Sequence, residues 1–154
     1  MYKLLIGREE AKTLREIELE AKKENLHQVF DFVTKELEPY ISEKKMLRQF
    51  KLCVEEVFLN IAQYAYHPKT GPAKILLSVL NDGPLRVEIS FIDHGLPFDP
   101  LEAGEPDLDA DLDERRVGGL GIFLVRTHMD DVYYEYKNGE NVLTLEKTLP
   151  ATPA

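Results

Sequence analysis

A carboxylate and a carboxamide stand four positions apart in a stretch with helical periodicity. Glu56 and Asn60 fall one turn apart on one helix face, while apolar residues recur at three- and four-residue steps on another. Their neighbours Val57, Leu59 and Ile61 are large and apolar, so we expect the pair in a partly dry cleft. Buried polar groups need a partner, and a cation or a hydrated phosphate would supply one. An amphipathic core helix with two ordinary polar residues explains the same spacing.

Two further segments carry groups suited to a nucleotide. Asp93-His94-Gly95 ends a predicted strand, where an aspartate can accept a hydrogen bond from an exocyclic amine. Gly118-Gly119-Leu120-Gly121 opens a predicted helix, and the free N–H groups and dipole of a helix N-terminus favour phosphate. A carboxamide oxygen such as that of Asn60 is a hard ligand that suits Mg²⁺ bridging phosphates. Taken alone, each motif also fits a turn or a tight connection.

Composition and charge limit the possible classes of protein. The chain has 154 residues, which suits one domain with a sizeable core. Its net charge of −9 argues against nucleic acid as the main partner and leaves basic protein surfaces as candidates. No apolar run approaches membrane-spanning length, and no signal-peptide pattern is present. The single cysteine, Cys53, is expected as a small buried hydrophobe, and the cytoplasm is the expected compartment.

Hydrophobic periodicity places these groups on three helices and four or five strands. Asn25 is the expected N-cap of a first helix ending at Leu37, and Ser42 is that of a second helix over about 43–66. A third helix begins at the glycine cluster. The predicted strands cover residues 16–21, 73–80, 85–93, 131–137 and 141–149.

Turn signals link most neighbouring strands as hairpins. Asn81-Asp82-Gly83-Pro84 predicts one turn, and Asn138-Gly139 predicts another. The expected fold is an α/β two-layer sandwich, with a mixed, mainly antiparallel sheet and helices on one face. We expect a single domain over residues 14–149, a tail or extra strand over 1–13, and a C-terminal tail over 150–154.

Residues 96–117 show no apolar period and contain several prolines and glycines. A loop of this length in a compact domain is typically a functional lid or disordered. Many acidic side chains precede its first basic residue, Arg115, so closing it over a triphosphate would be repulsive. A calcium loop is not expected, because Leu112 and Gly118 stand where such a loop needs glycine and glutamate.

The three motifs, in this order, resemble the Bergerat-type ATP-binding fold. Within that fold the chain is most similar to the stand-alone anti-sigma-factor serine/threonine kinases of bacteria. The resemblance covers about residues 14–149 and rests on Glu56–Ala62, Asp93–Pro100, Gly118–Val125 and Asn141–Leu145. Tyr64 departs from the pattern, because relatives often have histidine at that position.

The resemblance implies a role for each matched residue. Glu56 would be the general base or water-orienting group of phosphoryl transfer, and Asn60 would hold Mg²⁺ against the triphosphate. Asp93 would read the adenine amino group, and Gly95 would let the base approach the backbone. The remaining implied nucleotide-binding residues are Arg116, Gly119, Leu120, Gly121 and Thr144. Arg116 and its neighbour Arg115 fit either the γ-phosphate or a solvated lid.

The resemblance therefore implies an ATP- and Mg²⁺-dependent serine/threonine protein kinase of the anti-sigma-factor type. It would phosphorylate a small protein antagonist and bind a sigma factor, as a cytoplasmic homodimer without nucleic-acid or membrane partners. The alternative is an ATP-binding regulatory interaction module without phosphotransfer activity. The presence of Glu56 favours the enzyme, since a pure binder does not need it. The three ordered motifs disfavour a scaffold that binds no nucleotide.

Overall fold

A five-stranded sheet with helices on one face forms the described part of the computed structural model, which comprises residues 11–81, 83–103 and 120–150. The helices are α1 (Leu26–Leu37), α2 (Lys44–Asn60) and α3 (Leu120–His128). The strands are β1 (Ala11–Glu20), β2 (Pro72–Leu80), β3 (Arg86–Asp93), β4 (Asp131–Lys137) and β5 (Glu140–Thr148). A π-helical segment, Ile61–Ala65, continues α2, and short 3-10 segments lie at Lys23–Asn25 and Pro100–Ala103.

The sheet has the strand order β1-β2-β3-β5-β4. Each of the four pairings between described strands is antiparallel. The predicted α/β two-layer architecture is confirmed, and the described sheet contains no parallel pair. Asn138 and Gly139 join β4 to β5 with positive φ angles of 56° and 78°, as a tight hairpin turn requires.

The main core lies between the helices and one face of the sheet. Strand alternation turns every second residue toward the helices. From α1 the buried residues Val29, Val33 and Leu37 recur one turn apart. The sheet contributes Ile75, Leu77, Val79, Val87, Ile89, Phe91, Leu143 and Leu145 to the same cluster. Leu76, Ile92 and Val142 alternate with these residues and form a separate, smaller cluster on the opposite face.

Several element boundaries differ from the sequence predictions. β1 begins at Ala11, before the predicted strand over 16–21. The second helix does not stay α-helical through residue 66, because its hydrogen bonding changes to the π pattern after Asn60. Glu43, and not Ser42, occupies the N-cap position of α2. Asn25 does precede α1, but its side chain donates to Glu20 O at 2.8 Å and does not cap the helix.

Two simpler predictions are tested by burial and helix length. Cys53 is fully buried, and this burial raises the pKa of its thiol to about 12, with the Glu56 carboxylate adding to the effect. The prediction of a buried small hydrophobe is therefore confirmed.

Across the described ranges, the helices are too short or too polar for any to span a membrane.

Candidate functional site

Asp93 is the last residue of β3 and lies on the helix side of the sheet, in the same alternation as buried Ile89 and Phe91. Its side chain is buried. Oδ1 accepts hydrogen bonds from the backbone N–H of Gly95 and from Asn141 Nδ2, both at 2.9 Å. The described residues donate no hydrogen bond to Oδ2, so this oxygen is available to a donor on a ligand.

Asn141 organises the loop that follows Asp93. It is buried at the start of β5, directly opposite Asp93 in the β3–β5 register. Its Nδ2 also donates to Leu96 O at 3.0 Å and to Gly95 O at 3.3 Å. Its Oδ1 accepts from Phe98 N at 3.2 Å and from the hydroxyl of Tyr134. One carboxamide thus fixes several points along this loop.

Gly95 packs directly against the end of the π-helical segment. A Cβ atom placed on Gly95 would lie 2.2 Å from Ala65 O, with the Ala65 carbonyl carbon at 2.7 Å. The same carbonyl oxygen accepts a hydrogen bond from Leu96 N at 3.2 Å. Because both partners are backbone, no side chain at position 95 fits without moving the loop away from the helix. The absence of a Cβ therefore sets this contact.

Tyr66 holds the same loop from the side of β2. Its hydroxyl accepts a hydrogen bond from His94 N at 2.8 Å and donates one to Pro72 O at 2.6 Å. Burial raises the pKa of Tyr66, so the hydroxyl keeps its proton near neutral pH. The Asp93 loop is therefore tied to β5 through Asn141 and to the end of the long helix through Ala65 and Tyr66.

Glu56 meets the start of α3. A Cβ atom placed on Gly121 would lie 2.6 Å from Glu56 Oε2 and 3.4 Å from its Cδ, so the helix start approaches the carboxylate directly. Burial raises the pKa of Glu56, and the neighbouring Glu55 carboxylate adds to the shift. A carboxylate with a raised pKa is a stronger proton acceptor once ionised. Glu56 is therefore well suited to general-base chemistry.

Asn60 ends α2, one turn beyond Glu56, and is half-buried. Its carboxamide oxygen is a hard donor. Mg²⁺ in proteins usually takes only one or two protein oxygens and keeps waters and substrate phosphates as its other ligands. The Asn60 carboxamide therefore fits Mg²⁺ held together with phosphates.

The structure brings most of the described site residues together. Glu56 and Asn60 lie on α2, Gly121 contacts Glu56, and Gly95 contacts the π-helical continuation of α2, next to Asp93. Leu120 is the first residue of α3. Arg116 and Gly119, like Arg115 and residues 104–117 of the expected lid, lie outside the described residues.

Thr144 does not join this group. Its neighbours Leu143 and Leu145 belong to the helix-side core, so Thr144 points to the opposite face of the sheet. There its hydroxyl lies 2.8 Å from Ser90 Oγ. Asp93 lies on the helix side, and the sheet separates the two side chains. The structure thus contradicts a common site for Thr144 and Asp93.

Asn141 is the site residue that sequence reasoning missed. Asn141 pairs with Asp93 and lies on the helix side of β5, whereas Thr144 pairs with Ser90 on the other face. A signal was present, because the Asn138-Gly139 turn fixes the start of β5 and a β3–β5 pairing then sets Asp93 opposite Asn141. What the sequence did not specify was that β3 pairs with β5.

Known proteins share the sequence pattern of this chain. Residues 19–147 match the family model of the histidine kinase-like ATPase domain. The serine/threonine-protein kinase BtrW of Bordetella bronchiseptica is 36% identical over 94 residues, which cover 61% of this chain and 65% of the relative. The serine-protein kinase RsbW of Bacillus cereus is 30% identical over 101 residues, which cover 63% and 61%. The chain thus spans a little under two thirds of these curated relatives.

A solved structure shares the fold. The crystal structure of the SiaB-SiaC complex from Pseudomonas aeruginosa contains a chain that matches with a TM-score of 0.55 at 12% identity. The match covers 96% of this chain and 95% of that one, and it supports the two-layer architecture. The family model matches residues 19–147, which is well over half of this chain. This chain therefore belongs to the family of histidine kinase-like ATPase domains.

Proposed function

We propose that this protein is an ATP- and Mg²⁺-dependent serine/threonine protein kinase of the anti-sigma-factor type. In this proposal it phosphorylates a small protein antagonist and binds a sigma factor. The observation that carries the proposal is the meeting of three separate segments along one helix. The Glu56 carboxylate lies against Gly121, and the loop after Asp93 packs on the continuation of the same helix through Gly95.

At the phosphate end, positioning and electrostatics would supply most of the catalysis. Glu56 would accept the proton of the substrate hydroxyl as that oxygen attacks the γ-phosphorus, and ADP would leave. Asn60 would hold Mg²⁺, which neutralises phosphate charge when bound. The backbone at Gly119, Leu120 and Gly121 would donate to the phosphates, with Arg116 as a further cation.

The pKa of Glu56 supports this assignment. Burial is the main cause of its upward shift, and Glu55 contributes further. A general base works best when its pKa lies closer to the operating pH than that of a solvated glutamate. The upward shift of its pKa makes the ionised carboxylate of Glu56 a stronger proton acceptor.

At the base end, Asp93 would accept a hydrogen bond from the 6-amino group of adenine through Oδ2. Its Oδ1 is already bonded to Gly95 N and Asn141 Nδ2, which fixes the carboxylate plane. With no side chain, Gly95 lets its loop pack against the Ala65 carbonyl, and this contact fixes the loop that follows Asp93. This arrangement supports adenine over bases that lack an exocyclic donor.

Protein partners are proposed from the family resemblance and from the names of the relatives. Two relatives at 36% and 30% identity are named as serine or serine/threonine protein kinases. The net charge of −9 is compatible with basic surfaces on a partner. A cytoplasmic homodimer remains part of the proposal.

The direct test is phosphoryl transfer. The purified protein is incubated with labelled Mg-ATP and with proteins encoded by neighbouring genes, and the products are analysed for phosphoserine and phosphothreonine. We expect label on one small protein. If calorimetry shows Mg-ATP binding but no candidate is labelled, the chain is a binding module without transferase activity. No heat up to millimolar Mg-ATP would eliminate both readings.

A further inference from the structure

The carboxamide of Asn141 has one orientation that satisfies its surroundings. Two donors, Phe98 N and the Tyr134 hydroxyl, face its Oδ1. Three acceptors, Asp93 Oδ1 and the carbonyl oxygens of Gly95 and Leu96, face its Nδ2. Exchanging the two ends of the amide would set its oxygen against three acceptor oxygens and its NH₂ against the Phe98 N–H. These four neighbours therefore specify one orientation, in which the Tyr134 hydroxyl is the donor to Oδ1.

This orientation decides which atom of Asp93 is free. Asn141 Nδ2 and Gly95 N both donate to Oδ1, so rotating the carboxylate would break two hydrogen bonds inside a buried cluster. Leaving buried donors unpaired costs about 1–3 kcal/mol each. None of the described residues donates to Oδ2, which keeps its capacity to accept a hydrogen bond.

Tyr134 supports the arrangement from the edge strand β4. Its hydroxyl donates to Asn141 Oδ1. Burial raises the pKa of Tyr134, so the phenol stays protonated and remains a donor at neutral pH. Without this donor, Oδ1 would retain only the longer bond from Phe98 N.

We propose that Asn141, oriented by Tyr134, is a positioning residue that sets base specificity by holding Asp93 so that Oδ2 selects a base with an exocyclic amino group. The inference rests on the proposed nucleotide function. It goes further by assigning selectivity to a relay of three side chains, from Tyr134 through Asn141 to Asp93. Neither Asn141 nor Tyr134 needs to touch the base.

The test compares two nucleotides that differ in one group. Calorimetry measures the affinity for Mg-ATP and for the Mg complex of purine riboside triphosphate, which lacks only the 6-amino group. The wild-type protein should prefer ATP by about tenfold or more, the value of one hydrogen bond to a charged group. Asn141→Asp, which faces its neighbours with oxygens only, should reduce this preference to about twofold or less.

Two further variants separate specificity from general damage. Tyr134→Phe keeps the ring but removes the donor, and it should lower the preference for ATP by about twofold to fivefold. Thr144 lies on the same strand as Asn141 but on the other face. The ratio of the two nucleotide affinities in Thr144→Val should therefore equal that of the wild type. If Asn141→Asp does not fold, as judged by circular dichroism, Tyr134→Phe decides the question.

The outcomes distinguish this inference from the proposed function. An unchanged ratio in Tyr134→Phe and in a folded Asn141→Asp would overturn the relay while leaving nucleotide binding intact. Equal wild-type affinities for the two nucleotides would also overturn it, because Asp93 would not read the base. If the wild-type protein binds neither nucleotide, the proposed function itself fails.

Discussion

The two ends of the candidate site are held together by different kinds of contact. At the base end, backbone meets backbone where Gly95 lies against Ala65 O, and a network of hydrogen bonds around Asn141 surrounds Asp93. At the phosphate end, the backbone of Gly121 meets the tip of a side chain, Glu56 Oε2.

Because of this difference, we expect substitutions at the two ends to change different quantities: the free energy of unfolding at the base end, and the rate of phosphoryl transfer at the phosphate end. A close backbone contact cannot relax without moving an element, so damage to the base end should appear mainly as lost stability. A carboxylate tip can rotate, so damage to the phosphate end should appear mainly as lost transfer at nearly unchanged stability. The following predictions test that division, beginning with the largest effect.

The largest effect is expected for Glu56, the proposed general base at the phosphate end. Glu56→Gln keeps the side-chain size but removes the proton acceptor, so phosphoryl transfer should slow by about 10²–10⁴-fold. Mg-ATP affinity and the urea midpoint should change little. The rate of phosphoryl transfer is measured in single-turnover experiments with the small protein that accepts the phosphate. Glu55→Gln is the matched control at the adjacent carboxylate and should retain transfer; an unchanged rate in Glu56→Gln would assign the base to another residue.

At the base end, Gly95→Ala should lower the free energy of unfolding by about 2–3 kcal/mol, because the added methyl overlaps the Ala65 carbonyl. Urea denaturation followed by circular dichroism measures this change. His94→Ala, one residue earlier and with an exposed side chain, should stay within about 0.5 kcal/mol of the wild type. Equal stability of both variants would show that the loop does not pack closely on the helix.

The corresponding change at the phosphate end should behave differently. Gly121→Ala should leave unfolding free energy within about 1 kcal/mol, since the Glu56 side chain can move and alanine favours helix. Transfer should slow by about tenfold, because the carboxylate is displaced. Thr127→Ala, further along α3, serves as the control. If Gly121→Ala lost stability as Gly95→Ala does, the contrast between the two ends would disappear.

The smallest effect is a shift in the pH profile. Because burial raises the pKa of Glu56, the acid limb of the transfer rate should lie above the range of a solvated glutamate, and the rate should fall as pH decreases through that limb. Glu55→Gln removes the second cause of the raised pKa and should move the acid limb to lower pH. Profiles of transfer against pH for both proteins measure this; a limb that moved upward would contradict the assignment.

Local patterns were enough to place the described residues of the phosphate end on their helices. The four-residue spacing of Glu56 and Asn60 fixes their shared helix face, and this depends only on helical geometry. The start of α3 at the glycine cluster and the end of β3 at Asp93 are likewise local features. The contact between Gly121 and Glu56 arises where α3 packs on α2.

The base end depended on information that no single segment contains. The predicted strand over 141–149 was correct within one residue, yet the face of Thr144 relative to Asp93 follows from the β3–β5 register. The same register brings Asn141 to Asp93. The π-helical segment that presents Ala65 O was also not predictable, because its apolar spacing fits a continuous α-helix.

The central claim is that both ends belong to one nucleotide site, and calorimetric titration of Mg-ATP tests it most directly. We compare the wild type with Asn60→Ala at the phosphate end and Asp93→Ala at the base end, after circular dichroism confirms that each variant is folded. The account predicts that the wild type binds and that each variant gives no binding heat up to millimolar nucleotide. Wild-type affinity in either folded variant would contradict it.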